Sequence, residues 1–435
     1  MFFLLLESIF IYGNLDGNTD ILVYTSTLFM KMIKQSHLFN EKIKFEINDT
    51  YDNIDKACKA RLNLFNLSSI TNYNKILYLD TDILLKDDIN KVFNVCEEDI
   101  LYVLEEGTID SKLDYWGKSL FGNELNNYKD KTAFTSGILL FNNCEKIKDL
   151  FNTINEDIIN RPYNFACFDQ PYIVYNAFKC NLYNNKILKS LVVNNDHNIH
   201  SDKVIHHFPG GPGVYKYKIN KMTIFLNNIK DFTINNNINK TKAYIDTNLL
   251  PIIHNCGELL EGNIFMKHHT TNYTNVFLNK SKNISNLVLN KNMKNVMEIG
   301  FNSGFSTLLI LMSNPDIHIS CFDLGEHKYT IPCYEKLKET FGDRINITIG
   351  DSTKTLQPIN DNYDLIHIDG GHSMEVADSD IINSYRLSKP GTILIMDDYD
   401  FRNLHKLWNS YIIKYSLKKL DIHIYNSPHH DIKYV

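Results

Sequence analysis

Two carboxylates spaced by one residue, Asp80 and Asp82, close the apolar run Ile76-Leu-Tyr-Leu-Asp-Thr-Asp-Ile-Leu-Leu85. Along a strand, residues i and i+2 point to the same side, so both acids can face one cation while the apolar residues stay in a sheet. Such a pair suits a divalent metal held against a diphosphate. Taken alone, it also fits a turn or a helix cap. Far downstream, Val296-Met-Glu-Ile-Gly-Phe-Asn-Ser-Gly-Phe-Ser306 reads as a strand, a glycine-containing turn and the start of a helix. That is how α/β folds receive a nucleotide-like cofactor, so the chain is expected to carry two different active sites.

The elements that must position these groups alternate in pattern. In the first half, strands are expected at residues 20–26, 75–79, 100–104, 134–141 and 204–208, with helices at 54–67 and 169–178, which favours a largely parallel α/β sheet. From about Met222 to Thr247 the pattern degrades into Asn/Lys-rich sequence without a repeat, and a domain boundary is expected near residues 245–250. The second half has strand patterns at 295–299, 317–322, 345–349, 363–368, 391–396 and 421–425, most of them separated by helical stretches. This is the pattern of a doubly wound sheet, whose ligands sit at the carboxyl ends of strands.

Composition sets the bounds. At 435 residues the chain exceeds one ordinary core and suits two domains of roughly 200 residues each. A hydrophobic content of 43% is globular, and a net charge of -6 gives no reason to expect nucleic acid as a partner. The eight cysteines are scattered without a C-x-x-C pair or a Cys/His cluster at zinc spacing, which favours a reducing, cytoplasmic compartment. Met1-Phe-Phe-Leu-Leu-Leu meets Glu7 at once and has no basic flank. It is too short for a membrane span and poor as a signal peptide, and reads as the apolar face of a buried first helix. The abundance of Asn, Ile, Lys and Tyr over Arg looks like the bias of an A+T-rich genome.

Around the acid pair, five motifs resemble glycosyltransferase family 8 in the order that family uses them. They are Ala60-Arg61-Leu62, Tyr78-Leu-Asp-Thr-Asp82, Phe134-Thr-Ser-Gly-Ile-Leu-Leu-Phe141, Phe168-Asp-Gln170 and His207-Phe-Pro-Gly-Gly-Pro-Gly213. The resemblance implies a Mn2+ or Mg2+ ion held by Asp80, Asp82 and His207 against the diphosphate of a UDP-sugar, with Arg61 near the donor. A Lewis acid and a cation there would neutralise the charge developing on the leaving nucleoside diphosphate. It also implies Asp169 and Gln170 beside the donor sugar, in a reaction that retains anomeric configuration. Gly210, Gly211 and Gly213 would let backbone approach phosphate. His206 is expected to pack within its strand. The family's sheet begins with a strand that precedes the helix read at Phe3 to Tyr12, whereas this sequence opens inside or just before that helix; either the start has been lost or the donor pocket is incomplete, and weak UDP binding is the expectation.

The second half resembles the class I S-adenosylmethionine-dependent methyltransferases, particularly the metal-dependent O-methyltransferases acting on sugars or catechols. The matching residues are Glu298-Ile-Gly-Phe-Asn-Ser-Gly-Phe-Ser306, Phe322-Asp-Leu324, Gly350-Asp-Ser352, Asp364-Leu-Ile-His-Ile-Asp-Gly-Gly-His372 and Met396-Asp-Asp398. Glu298, Gly300, Gly304, Ser306, Asp323 and Asp351 are the expected cofactor-binding residues. Gly300 and Gly304 allow close approach, Asp323 is placed for the ribose hydroxyls, and Asp351 for the adenine edge. Asn302 stands where many relatives carry another glycine. Asp369, Asp397 and Asp398 offer an oxygen-rich cluster suited to Mg2+, and His372 a general base near neutral pKa. The two adjacent acids also fit a polar turn, and His372 a helix cap. His318, His367, His405, His429 and His430 read as structural or surface residues.

The expected architecture is therefore α/β in two domains: a glycosyltransferase-A-type nucleotide-sugar fold over residues 1–245, then a doubly wound Rossmann-like methyltransferase over 250–435. The expected function is a fused glycan-modifying transferase. It would combine retaining glycosyl transfer with metal-assisted O-methylation of a sugar hydroxyl, and its partners would be a nucleotide-sugar and a glycan acceptor. In the alternative, the first domain only binds the acceptor and is catalytically impaired. Composition and fusion together look like a product of a large DNA virus acting in the host cytoplasm.

Overall fold

The computed structural model describes residues 1–51, 54–163, 165–210, 214–420 and 422–435. The chain divides into two compact units, Met1–Asn228 and Ile229–Val435, each of mixed α/β structure.

The first unit opens with the helix Phe2–Tyr12, whose Leu5, Leu6, Ile9 and Phe10 are buried, as its apolar sequence requires. Among the described residues nine strands follow: β1 (Ile21–Thr25), β2 (Ile43–Ile47), β3 (Lys75–Leu79), β4 (Ile83–Leu85), β5 (Leu101–Thr108), β6 (Thr132–Asn142), β7 (Tyr183–Asn184), β8 (Val192–Asn194) and β9 (Ile205–His207). β1 and β2 pair in parallel. The sheet β3-β6-β5-β7 is mixed, because β6 runs antiparallel to both β3 and β5. A smaller sheet has the order β4-β9-β8. The largely parallel sheet expected from alternating patterns is thus corrected: β6 is a central strand buried on both faces, and its continuous apolar run carries no sign of direction. The helix expected at 54–67 is a short α-helical turn, Ile54–Cys58, followed by a 3-10 segment, Ala60–Asn66.

The stretch that reads as patternless from 222 to 247 belongs to a 30-residue helix, Tyr215–Tyr244. Its buried residues Met222, Phe225, Leu226, Ile229, Ile234, Ile238 and Thr241 recur at helical spacing. The asparagines between them are poor helix formers, and burial of the apolar stripe outweighs that preference.

In the second unit six strands form one sheet: β10 (Asn295–Ile299), β11 (His318–Asp323), β12 (Ile345–Ile349), β13 (Tyr363–Ile368), β14 (Ser388–Met396) and β15 (Asp431–Tyr434). Their order is β12-β11-β10-β13-β14-β15, parallel throughout except for β15, which pairs antiparallel with β14. The strand order reverses beside β10, so a crevice is expected at the carboxyl ends of β10, β11 and β13. Among the described residues of the strand expected at 421–425, none is in a strand. Instead the helix Leu278–Val288 holds that segment through asparagines: Asn286 Nδ2 donates to the His423 carbonyl at 2.8 Å, and Asn283 Nδ2 to that of Tyr425 at 2.9 Å. The backbone groups a sheet would have paired are taken by side chains.

Candidate active sites

In the first unit the turn between β3 and β4 carries the acid pair. Asp80 is pinned by its amide, which donates to the Gly137 carbonyl of β6 at 2.9 Å, and Tyr78 Oη donates to its Oδ1 at 2.6 Å. Asp82 is buried, and its carbonyl accepts from the Phe208 amide at 2.9 Å, which ties the turn to the end of β9. β9 ends on His207, whose Nε2 lies 3.5 Å from Asp82 Oδ1. Asp80, Asp82 and His207 each bring one donor atom within 4.8 Å of the others. A Cβ on Gly137 would meet Asp80 Oδ2 and His207 Nε2 at 3.0 Å, so only glycine leaves this cradle open. Three oxygen and nitrogen donors around a space of this size fit a hard or borderline divalent ion.

Arg61 and Asp169 complete the floor. Arg61 Nε lies 3.0 Å from Asp169 Oδ2, its Nη1 3.4 Å from Asp80 Oδ1, and its guanidinium stacks 4.8 Å over the Tyr78 ring. Burial pushes the Asp169 carboxyl up to about 6, against the pull of Arg61 and with a push from Asp80. Asp169 precedes the helix Gln170–Cys180. Gln170 is engaged on both sides: its Oε1 accepts from the Ser136 amide at 2.9 Å, and its Nε2 donates to the Tyr115 carbonyl at 3.2 Å. His206 is buried in β9 against His197 and Phe225, and burial drives its imidazole down to about 3. Gly210 has a φ of +147°; Gly211 and Gly213 lie outside the described residues.

In the second unit the turn after β10 is built for close approach. Gly300 has a φ of +95°, and a Cβ there would fall 1.9 Å from the Asp369 carbonyl oxygen. Gly304 follows at φ +76° and opens the helix Phe305–Ser313, in which Ser306 is buried. Asn302 takes a left-handed conformation at φ +52°, which Asn tolerates better than most residues, so its place in the turn is consistent with its neighbours. Asp323, ending β11, accepts from the Asn302 amide at 2.8 Å and from the Gly325 amide at 2.7 Å. It therefore ties the turn after β10 to the turn after β11. Asp351 accepts from the Thr353 amide at 3.0 Å in the turn after β12. Glu298 is fully buried beneath the turn, with Oε1 2.9 Å from His367 Nδ1 and a second contact to Thr307. The structure places it as a support of the sheet interior.

The acids beyond β13 and β14 divide among different partners. Asp398 Oδ2 lies 2.8 Å from His372 Nε2, and this contact raises the imidazole above its ordinary value. Asp397 is wholly buried, with Oδ1 2.6 Å from Lys280 Nζ. The donor atoms that gather within 4.8 Å of one another here are those of His367, Asp397 and His430. Asp369 follows β13 on the half-buried rim, and burial together with Asp397 raises its carboxyl. A small cavity is lined by Asp369, His372, Asp380, Asp397 and Asp398.

A family model for glycosyl transferase family 8 matches residues 20–182, and a methyltransferase-domain model matches residues 297–399. The chain is a transferase, with a glycosyl-transfer domain and a methyl-transfer domain. Its fold is the two-domain α/β one expected: a glycosyltransferase-A-type fold, then a doubly wound Rossmann-like methyltransferase fold. Solved structures similar to parts of the chain include an O-methyltransferase from Bacillus cereus in complex with SAH, at 14% identity and TM-score 0.34, over 45% of this chain and 91% of that one. The SAH-bound methyltransferase PaMTH1 of Podospora anserina covers 45% and 94% at 14% identity and TM-score 0.33. CalS11, a TDP-rhamnose 3'-O-methyltransferase of calicheamicin biosynthesis, covers 37% and 77% at 15% identity and TM-score 0.28. No curated protein matches the chain.

Four residues that contact the candidate acids were not read as site residues from the sequence. Lys218 Nζ lies 2.6 Å from Asp82 Oδ2 and donates to the Gly210 carbonyl at 2.9 Å. Burial opposes ionisation of Asp82, yet His207 and Lys218 together hold its carboxyl below the usual range. Lys280, His367 and His430 are the others. Two lysines among so many carry no signal, whereas His367 sits near the end of β13, two residues before the acid that follows the strand.

Proposed function

We propose that the chain transfers a sugar from a UDP-sugar with retention at the first site, and a methyl group from S-adenosylmethionine to a sugar hydroxyl at the second. The domains would be residues 1–245 and 250–435. The observation that carries the first half is the convergence of Asp80, Asp82 and His207 beside the Arg61–Asp169 pair, within and just beyond the stretch matched by the family model. A Mn2+ or Mg2+ ion held by these three residues would supply Lewis acidity to the departing diphosphate. Arg61 and Lys218 hold the acids in place, and the donor sugar would rest beside Asp169 and Gln170, as the resemblance implies.

For the second half, the turn Gly300–Ser306 with Asp323 and Asp351 at the crevice supports S-adenosylmethionine as the methyl donor. His372, oriented by Asp398, is positioned at the cavity to take the proton of an acceptor hydroxyl. Calorimetry separates the two halves. UDP binding should require Mn2+ and weaken in Asp82→Ala, with S-adenosylmethionine binding unchanged; Asp323→Ala should weaken S-adenosylmethionine binding and leave UDP binding unchanged. Loss of both ligands in either variant, with the fold intact, would sink the assignment of separate sites.

A further inference from the structure

Three neighbouring strands of the second unit's sheet bring one metal-ligating side chain each to the same place. His367 lies on β13, Asp397 follows β14 and His430 precedes β15. Met396 pairs with Asp431 in the antiparallel register of β14 and β15, so the next rung outward sets Asp397 beside His430. All three side chains are fully buried, and His367 Nε2, Asp397 Oδ2 and both ring nitrogens of His430 have no hydrogen-bond partner. Buried polar atoms left unpaired are costly, and here they converge: one donor atom from each residue lies within 4.8 Å of the others.

The spacing suits an ion between them. His367 Nε2 stands 3.6 Å from Asp397 Oδ2, and His430 Nε2 3.5 Å from Oδ1, both longer than an ordinary imidazole–carboxylate hydrogen bond. Ligand atoms about 2.1 Å from one tetrahedral ion stand about 3.4 Å from one another. His367 is also held as a ligand would be. Its Nδ1 lies 2.9 Å from Glu298 Oε1, and Thr307 donates to the other oxygen of Glu298. A carboxylate on the far nitrogen selects the tautomer whose Nε2 carries the lone pair and makes it a better donor to a metal. Lys280 does not close the site: its Nζ takes Asp397 Oδ1 at 2.6 Å and leaves Oδ2 to the interior. At the first site Lys218 likewise takes Asp82 Oδ2 and leaves Oδ1 facing His207.

We propose that His367, Asp397 and His430 form a metal site for a borderline divalent ion such as Zn2+, which clamps the edge strand β15 to β13 and β14. Two imidazoles and one carboxylate favour Zn2+ over Mg2+. The site differs from the oxygen-only cluster expected from the sequence, since Asp398 is engaged by His372 at 2.8 Å and Asp369 stands outside the three-donor group. The ion joins strands and enters no bond change, so the proposal is independent of the reaction the unit carries out.

Counting Zn2+ on the full chain tests this. With Asp80→Ala and Asp82→Ala removing the first site, one Zn2+ should remain after dialysis, read by mass spectrometry of the metal. Adding His430→Ala should weaken its binding by at least about tenfold, and adding Asp398→Asn should leave it unchanged. Co2+ in the same parent chain should give the strong visible bands of four- or five-coordinate ligation. A parent that retains no Zn2+ overturns the proposal, as does one whose Zn2+ is held equally in His430→Ala and Asp397→Asn. Zn2+ lost in Asp398→Asn but kept in His430→Ala would overturn it too, and would place the ion in the oxygen cluster. If His430→Ala fails to fold, the Co2+ spectrum of the parent decides, and the weak bands of six-coordinate ligation would count against the site.

Discussion

Arg61 and Asp169 form a buried pair, Nε to Oδ2 at 3.0 Å, in which the same guanidinium also reaches Asp80 at 3.4 Å. One side chain thus couples the acid expected beside the donor sugar to an acid expected on the metal. Arg61→Met should leave Asp169 without its charge partner and destabilise the first unit by about 3–5 kcal/mol. Urea unfolding monitored in that unit checks it, and a loss under 1 kcal/mol would show that the pair is not a closed buried contact.

The raised Asp169 carboxyl makes a signed pH prediction. Its pKa of about 6 lies above the ordinary 3.8, so the folded chain binds this proton more tightly than the unfolded one. Its contribution to stability is full below about pH 4 and is lost as pH rises through about 6. Asp169→Asn should remove that falling contribution. The difference in stability between variant and parent should therefore shift in the variant's favour from pH 4 to pH 7, measured by urea midpoints. Parallel profiles would show that Asp169 is not proton-binding in this range.

Strands β3, β10, β12 and β13 were legible to the residue, because apolar runs bounded by turns fix both their type and their length. The acid pair was legible from its place at the end of an apolar run, although Asp80 and Asp82 lie in the turn after β3, so it is the turn and not strand alternation that brings them together. What escaped depends on contacts between distant segments. The asparagines of the helix Leu278–Val288 replace a sheet edge at 422–425, and nothing in either segment alone announces it. Lys280 and Lys218 are ordinary surface residues by type, and only the packed fold reveals that each closes on a buried acid.

Metal binding at the first site should depend on all three donors. Asp82→Ala or His207→Ala should weaken Mn2+ by at least about tenfold, or roughly 1.4 kcal/mol, while Lys218→Met should not abolish it, because the lysine contacts Asp82 from outside the three-donor group. Paramagnetic titration distinguishes the variants. Equal affinity in all of them would place the ion elsewhere.

The sharpest test of the second crevice contrasts two residues that shape it differently. Gly300→Ala puts a Cβ 1.9 Å from the Asp369 carbonyl at a φ of +95°, so both the steric clash and the backbone preference oppose it. The turn must shift, and a stability loss on the order of 3 kcal/mol is expected along with lost S-adenosylmethionine binding. Asp323→Ala removes the acceptor for the Asn302 and Gly325 amides without any clash. It should cost about 1.5–3 kcal/mol in cofactor affinity, because a buried polar contact is lost. Calorimetry paired with thermal unfolding reads both quantities for both variants. A Gly300→Ala chain of unchanged stability that binds S-adenosylmethionine normally would mean that the β10 turn does not press against the end of β13, and the cofactor assignment to this crevice would fall with it.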